Sequence, residues 1–110
     1  MIDYRAHFAR VAKRPGMFGL DWRYRSLVAY ILGFDDATGG SMLSGIDEWL
    51  AERYADGHTA SIAWWGQIHR HCFPDQTSDK RITYTDLDQQ QSAVAIAELV
   101  AVLDTFLAER

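Results

Sequence analysis

Three observations predict an all-α protein, a compact single-domain bundle of about five helices over residues 1–110 with a long C-terminal helix. Apolar residues recur at three- and four-residue spacing in five blocks, and the blocks are separated by breakers rich in Pro, Gly and Asp. Strand-like alternation is confined to Ile82-Thr83-Tyr84-Thr85, which has no second strand pattern to pair with, so a sheet is not expected.

In residues 2–13, Tyr4, Phe8 and Val11 fall on one stripe, with Arg5, His7, Arg10 and Lys13 largely outside it. The segment Arg14-Pro15-Gly16-Met17-Phe18-Gly19-Leu20 then stops the helix. Proline fixes its own φ and pushes Arg14 out of the α region, while Gly16 and Gly19 permit positive φ. Met17 and Phe18 inside so rigid a turn are expected to dock into the core, since each is worth ~1.5–3 kcal/mol when buried; the alternative is a partner-binding or ligand-binding loop. A second helix is predicted from about Trp22 to Phe34, capped by Asp21, on the repeat Tyr24, Leu27, Val28, Ile31 and Phe34. Its wide apolar surface marks it as the central helix.

Asp35 to Ser41 reads as a loop or as a continuation of the second helix with a weak end, and Ser41 can cap a third helix. Met42, Leu43, Ile46, Trp49, Leu50, Arg53 and Tyr54 form its inner face, and Ser44, Asp47, Glu48, Ala51 and Glu52 its outer face. Asp56-Gly57-His58 ends it, and Thr59 or Ser61 can cap a fourth helix reaching Cys72. That helix carries large groups on two sides and is expected to be sandwiched, with paired Trp64 and Trp65 about 100° apart. Phe73-Pro74-Asp75 stops it, and Gln76 to Thr85 reads as the longest loop. The last helix starts at Asp86 or Asp88, with Asp88 and Gln91 as a capping box and Ile96, Leu99, Val100, Leu103, Phe106 and Leu107 as its stripe. Ala93, Ala97, Ala101 and Ala108 leave room on a second side for a neighbouring helix or subunit.

Composition bounds the function. At this length a core forms without disulfide or metal. Cys72 is the single cysteine, and no apolar run approaches the ~20 residues of a membrane span, so a cytoplasmic protein with no membrane partner is expected. The net charge of −4 hides an asymmetry. Residues 1–25 carry six cations against two anions, a surplus of +4, and residues 26–110 carry five against thirteen, or −8. An acidic total argues against nucleic acid as a partner.

The chemistry-bearing residue types do not assemble into a known motif. His69 and His71 stand two apart and so lie on different faces of a helix, and the HExxH and CxxC spacings of zinc sites are missing. Thr38-Gly39-Gly40-Ser41 matches neither phosphate-binding loop. Asp35 and Asp36 are adjacent turn formers with no histidine beside them, and Cys72 has only His69 or His71 as a base. No catalytic residue, metal or cofactor is expected.

The run Arg14-Pro15-Gly16-Met17-Phe18-Gly19, then Ser26-Leu27 with Ala29 to Phe34, then Ile46 to Tyr54 and finally Ser61 to Trp65, resembles a group of small bacterial proteins with an Arg-Pro-Gly-Met-aromatic signature. The resemblance spans most of the chain. Proteins of this kind are associated with immunity to polymorphic or contact-dependent toxins, so the resemblance implies a compact helical domain that neutralises a toxin. It brings no catalytic residues.

The residues are compatible with such a role. An acidic inhibitor gains fast association with a basic partner from charge steering and slow release from buried aromatic anchors. The expected partner-binding residues are Asp35, Asp36, Asp47, Glu48, Glu52 and Asp56 as an acidic strip, with Trp64 as the exposed anchor. Two alternatives stay open: a self-associating helical module that dimerises through its last helix, and a small-molecule-binding domain or enzyme with a pocket near His69, His71 and Cys72.

Overall fold

A computed structural model of the chain describes residues 3–54, 62–74 and 87–109. Among the described residues there are five α-helices, one 3-10 turn and no strand. The helices are α1 (Tyr4–Lys13), α2 (Tyr24–Ala37), α3 (Ile46–Tyr54), α4 (Trp64–Cys72) and α5 (Gln89–Ala108), with the 3-10 turn at Pro15–Phe18. The expected all-α bundle and long C-terminal helix are therefore present. Thr59, Ser61, Ile82 to Thr85 and Asp86 lie outside the described residues.

Local chemistry sets most of the boundaries. The Asp3 carboxylate accepts the Ala6 N–H and caps α1. Pro15 opens the 3-10 turn, and Gly19 closes it with φ of 74°, a left-handed conformation that a Cβ would oppose. Asp88 and Gln91 form the reciprocal capping box expected at the start of α5. Asp21 does not cap α2. Its Oδ1 accepts the Arg23 N–H two residues on, a local turn that holds Trp22 and Arg23 outside the helix and starts α2 at Tyr24. Of the two readings open for Asp35 to Ser41, the first residues take the helical one: α2 continues through Asp35 and Asp36 to Ala37.

Two further expectations are corrected in the same way. Ser41 caps nothing, because its hydroxyl turns back to the Thr38 carbonyl, and Met42 and Leu43 enter the core from a turn that precedes α3. Gly45, at φ of 85°, cannot be helical, so α3 begins one residue later. In the turn at Pro15–Phe18 only half of the expected pair docks. Phe18 packs against the core, whereas Met17 is 74% exposed. Phe18 meets His7 edge-on at 5.6 Å, and His7 in turn stacks on Phe34 at 4.9 Å and is hydrogen-bonded through Nε2 to the Tyr30 hydroxyl at 2.9 Å. The Pro/Gly turn is thus anchored by one aromatic residue in a ring cluster shared by α1 and α2.

The hub of the fold is α5, not α2. It packs against α1, α2 and α4, and α4 also packs against α3, so α4 has two helical neighbours as its two-sided pattern predicts, while Trp49 and Tyr54 of α3 reach α5 as well. At 1.5 Å per residue α5 is ~30 Å long, long enough to cross most of a molecule measuring 42 × 29 × 20 Å. Its buried stripe is Ser92, Ala95, Leu99, Val102, Leu103 and Phe106, rotated from the expected one, while Ile96, Val100 and Leu107 are half-buried at its edge. The outward Ala93, Ala97, Ala101 and Ala108 are exposed, as is Val94.

With a mean hydropathy of 1.6, Gln89–Ala108 is long and apolar enough, by length and composition, to cross a membrane. The expectation that no stretch approaches such a span is therefore corrected, because the alanines raise the average across the whole helix. In the fold its buried stripe faces the other helices, and the helix carries two charged residues outside that stripe, Glu98 and Asp104.

One core cluster joins all five helices, with Tyr24, Leu50, Ile68 and Ala95 wholly buried in it. Tyr24 brings its polar tip inside by donating from the hydroxyl to the Trp65 carbonyl at 2.8 Å, which ties α2 to α4. At the surface Arg5 and Asp104 form a two-pronged pair at 2.9 and 3.2 Å between α1 and α5. Both are about half exposed, so solvent screens the pair and it adds little to stability.

Candidate functional site

The acidic residues expected to form a docking strip divide into two groups. Asp35 and Asp47 are half-buried and occupied with backbone N–H groups. Asp35 Oδ1 accepts the Leu43 N–H at 2.9 Å, which pins the turn between α2 and α3 while Met42 and Leu43 enter the core. Asp47 Oδ1 accepts the Trp64 N–H at 2.8 Å, and the Asp47 carbonyl accepts from Gln67 Nε2 at 3.0 Å. Ala63, the residue before α4, supplies no side-chain cap, so a carboxylate on α3 supplies it from across the interface. These two aspartates are therefore structural, and what they add to the surface is charge alone.

Asp36, Glu48 and Glu52 are exposed, and Asp56 lies outside the described residues. Glu48 and Glu52 stand one turn apart on the outer face of α3, whose inner face buries Ile46 and Leu50. Beside them the Arg53 guanidinium lies over the Trp49 ring at 5.3 Å, and Trp49 rests edge-on against Phe106 at 5.3 Å. The rim of this face is thus a half-buried indole held from both sides.

Trp64 is not an exposed anchor. Only 4% of it is accessible, and it packs perpendicular to Trp65 with ring centres 5.3 Å apart. Its place in the first turn of α4, beneath the Asp47 cap, turns the indole inward. The exposed tryptophan is Trp22, at 59%, in the segment between the 3-10 turn and α2. One signal for it was present in the sequence: Trp22 falls outside the stripe of Tyr24, Leu27, Val28 and Ile31 that α2 buries. Trp22 walls an open cleft of about 260 Å³ that Asp21, Arg23, Leu87, Asp88, Gln89 and Ser92 also line.

Of the histidines and the cysteine of α4, His71 and Cys72 both lie near Glu98, whereas His69 packs beside Phe73. His69 is buried, and burial pulls its pKa below the usual histidine value; its Nε2, like Gln67 Oε1, has no hydrogen-bond partner among the described residues. His71 is exposed and stacks face to face on Tyr54 at 4.1 Å. The Tyr54 hydroxyl donates to Glu98 Oε2 at 2.7 Å, and His71 Nε2 lies 3.9 Å from the same oxygen. Burial, reinforced by that hydrogen bond and by the Glu98 charge, pushes the tyrosine pKa up, so Tyr54 stays a donor. Burial, then the Glu98 charge, raises the Cys72 thiol to about 11, which leaves it protonated and a poor nucleophile at neutral pH. The arrangement clamps α3, α4 and α5 together. Among the described residues no three His, Cys, Asp or Glu side chains are placed to hold a metal ion.

The two histidines with lowered pKa set an acid limit on the fold. His69 is shifted by burial, and His7 by burial and then by the Arg10 charge. Each takes up its proton more readily in the unfolded chain. Their contribution to stability is therefore complete above the unfolded value of about 6.5 and is lost as pH falls through the lower folded values. Urea midpoints are expected to fall between pH 7.5 and pH 5.5, with a smaller fall in His69→Phe. A flat profile would contradict the burial of His69.

No family model, no curated protein and no solved structure matches the chain.

Proposed function

We propose that the chain is a cytoplasmic immunity protein, a non-enzymatic inhibitor that neutralises a bacterial toxin domain by non-covalent occlusion. The observation that carries this reading is the outward face of α3, where Glu48 and Glu52 are exposed one turn apart with Asp36 also at the surface. Like charges at this spacing cost an isolated helix ~0.2–0.5 kcal/mol. Opposite a basic surface they become an asset, speeding encounter through charge steering. The chain's Arg-Pro-Gly-Met-Phe turn supports the reading by resemblance, and α3 is seated on the core through Ile46 and Leu50, so its outer face is presented already folded. Asp35 and Asp47 are held on backbone N–H groups and Trp64 is buried, so Asp36, Glu48 and Glu52 are what remains exposed of the expected strip among the described residues.

The test is co-expression with the product of the adjacent open reading frame. Rescue of growth together with a one-to-one complex supports the proposal. Growth arrest unaffected by the chain, with no complex on a sizing column, overturns it.

One observation favours a second reading. Ala93, Ala97 and Ala101 repeat along the exposed face of α5 next to exposed Val94, a surface on which a second copy of α5 could approach closely. Light scattering over a range of concentrations separates the readings: a concentration-dependent dimer favours self-association, and a monomer favours the inhibitor.

A further inference from the structure

Two of the largest exposed apolar side chains, Met17 at 74% and Trp22 at 59%, lie within six residues of each other at one end of the bundle. That end is built from the last turn of α1, the 3-10 turn and the first turn of α2, so Arg10, Lys13, Arg14, Arg23 and Arg25 are gathered there by connectivity. All five are exposed. Arg23 pairs with Asp21 at 3.6 Å, and Arg10, Lys13, Arg14 and Arg25 have no ion-pair partner among the described residues. Against these cations stand Asp21 and, across the Trp22 cleft, Asp88, whose Oδ1 is held in its helix cap. A protein of net charge −4 thus concentrates positive charge and protruding apolar groups at one tip.

We propose that this tip is a peripheral docking site for an anionic lipid surface, with Met17 and Trp22 entering the interface and Arg10, Lys13, Arg14 and Arg25 facing the headgroups. This departs from the expectation of no membrane partner. Tryptophan settles at headgroup level because its ring is apolar and its N–H polar, and basic side chains beside it add electrostatic attraction. The turn is suited to present Met17, since Pro15 is buried, Phe18 is clamped on His7, and Gly19 fixes the reversal, leaving the methionine at a rigid apex. A bilayer fits better than a nucleic acid for two reasons. An unbranched thioether gains little among phosphates, whereas it gains solvation free energy at the acyl boundary. The net charge of −4 also opposes a polyanion long enough to run over the rest of the chain, whereas a flat surface can be met by the basic tip alone.

The experiment is co-sedimentation of the full chain with vesicles of phosphatidylcholine, alone or mixed in equal parts with phosphatidylglycerol, alongside a duplex DNA probe. Binding is expected to the mixed vesicles only, to weaken with salt, and to shift tryptophan emission to the blue by an amount lost in Trp22→Phe. Lys13→Gln with Arg14→Gln should weaken partitioning by ~25-fold, at about fivefold per cation, and Met17→Ser by ~10-fold. These side chains are exposed, and an unchanged helical circular dichroism spectrum confirms that the fold is kept. Glu48→Lys with Glu52→Lys should not reduce vesicle binding. Equal sedimentation with both vesicle types, indifference to the Lys13, Arg14 and Met17 changes, or DNA binding at least as tight as vesicle binding would each overturn the proposal.

Discussion

Replacing Ile68 with alanine should lower the unfolding free energy by about 2–5 kcal/mol. The side chain is wholly inaccessible and lies on α4, the helix that packs against both α3 and α5. Its truncation removes transfer free energy and leaves a cavity that two flanking helices must collapse to fill. A loss of this size is a large share of the ~5–15 kcal/mol that stabilises a domain, so the melting temperature should drop by ten degrees or more. Val94→Ala is the control. Val94 is 52% exposed on the outer side of α5, and its truncation should change stability by no more than ~0.5 kcal/mol. Urea titrations of the two variants measure both values, and a loss below ~1 kcal/mol for Ile68→Ala would mean that α4 does not sit inside the bundle.

Asp47→Ala should cost about 1–3 kcal/mol, because it removes the acceptor of the half-buried Trp64 N–H at the start of α4. Asp47→Asn should recover part of the loss, since the amide oxygen can accept the same bond. Glu48→Ala, one residue along the same helix, should lie within ~0.5 kcal/mol of the parent because Glu48 is exposed. The contrast matters for function. If Asp47→Ala were as harmless as Glu48→Ala, Asp47 would belong with the solvated carboxylates. A large loss for Asp47 alone assigns it to the joint between α3 and α4.

Elements governed by local chemistry were legible in the sequence. The Asp88–Gln91 box, the stop at Arg14-Pro15 and the two-sided pattern of α4 each depend on residues close together in the chain, and each is found in the fold. Features decided by tertiary contact were not. Met42 and Leu43 continue the helical spacing of α3, yet Gly45 at positive φ and the Asp35 carboxylate on the Leu43 N–H hold them in a turn. The stripe on α5 was read too far round because apolar residues cover most of that helix, so periodicity alone did not separate Val102 from Val100.

The candidate site divides along the same line. Glu48 and Glu52 could be placed outside from the period of α3 alone. The fate of Trp64 depended on Asp47 arriving from another helix, and a sequence pattern carries no record of that bond. Trp22 was misread because Asp21 resembles a helix cap; its actual bond to the Arg23 N–H, two residues on, keeps Trp22 out of α2.

Calorimetric titration of the chain with the product of the adjacent open reading frame, for the parent and for Glu48→Lys with Glu52→Lys, tests the central claim most directly. The parent is expected to form a one-to-one complex whose affinity falls with salt. The double reversal should weaken it by at least tenfold and flatten the salt dependence, while thermal stability is kept. Equal affinity and equal salt dependence for the two proteins, or no heat of binding for either, would contradict the account.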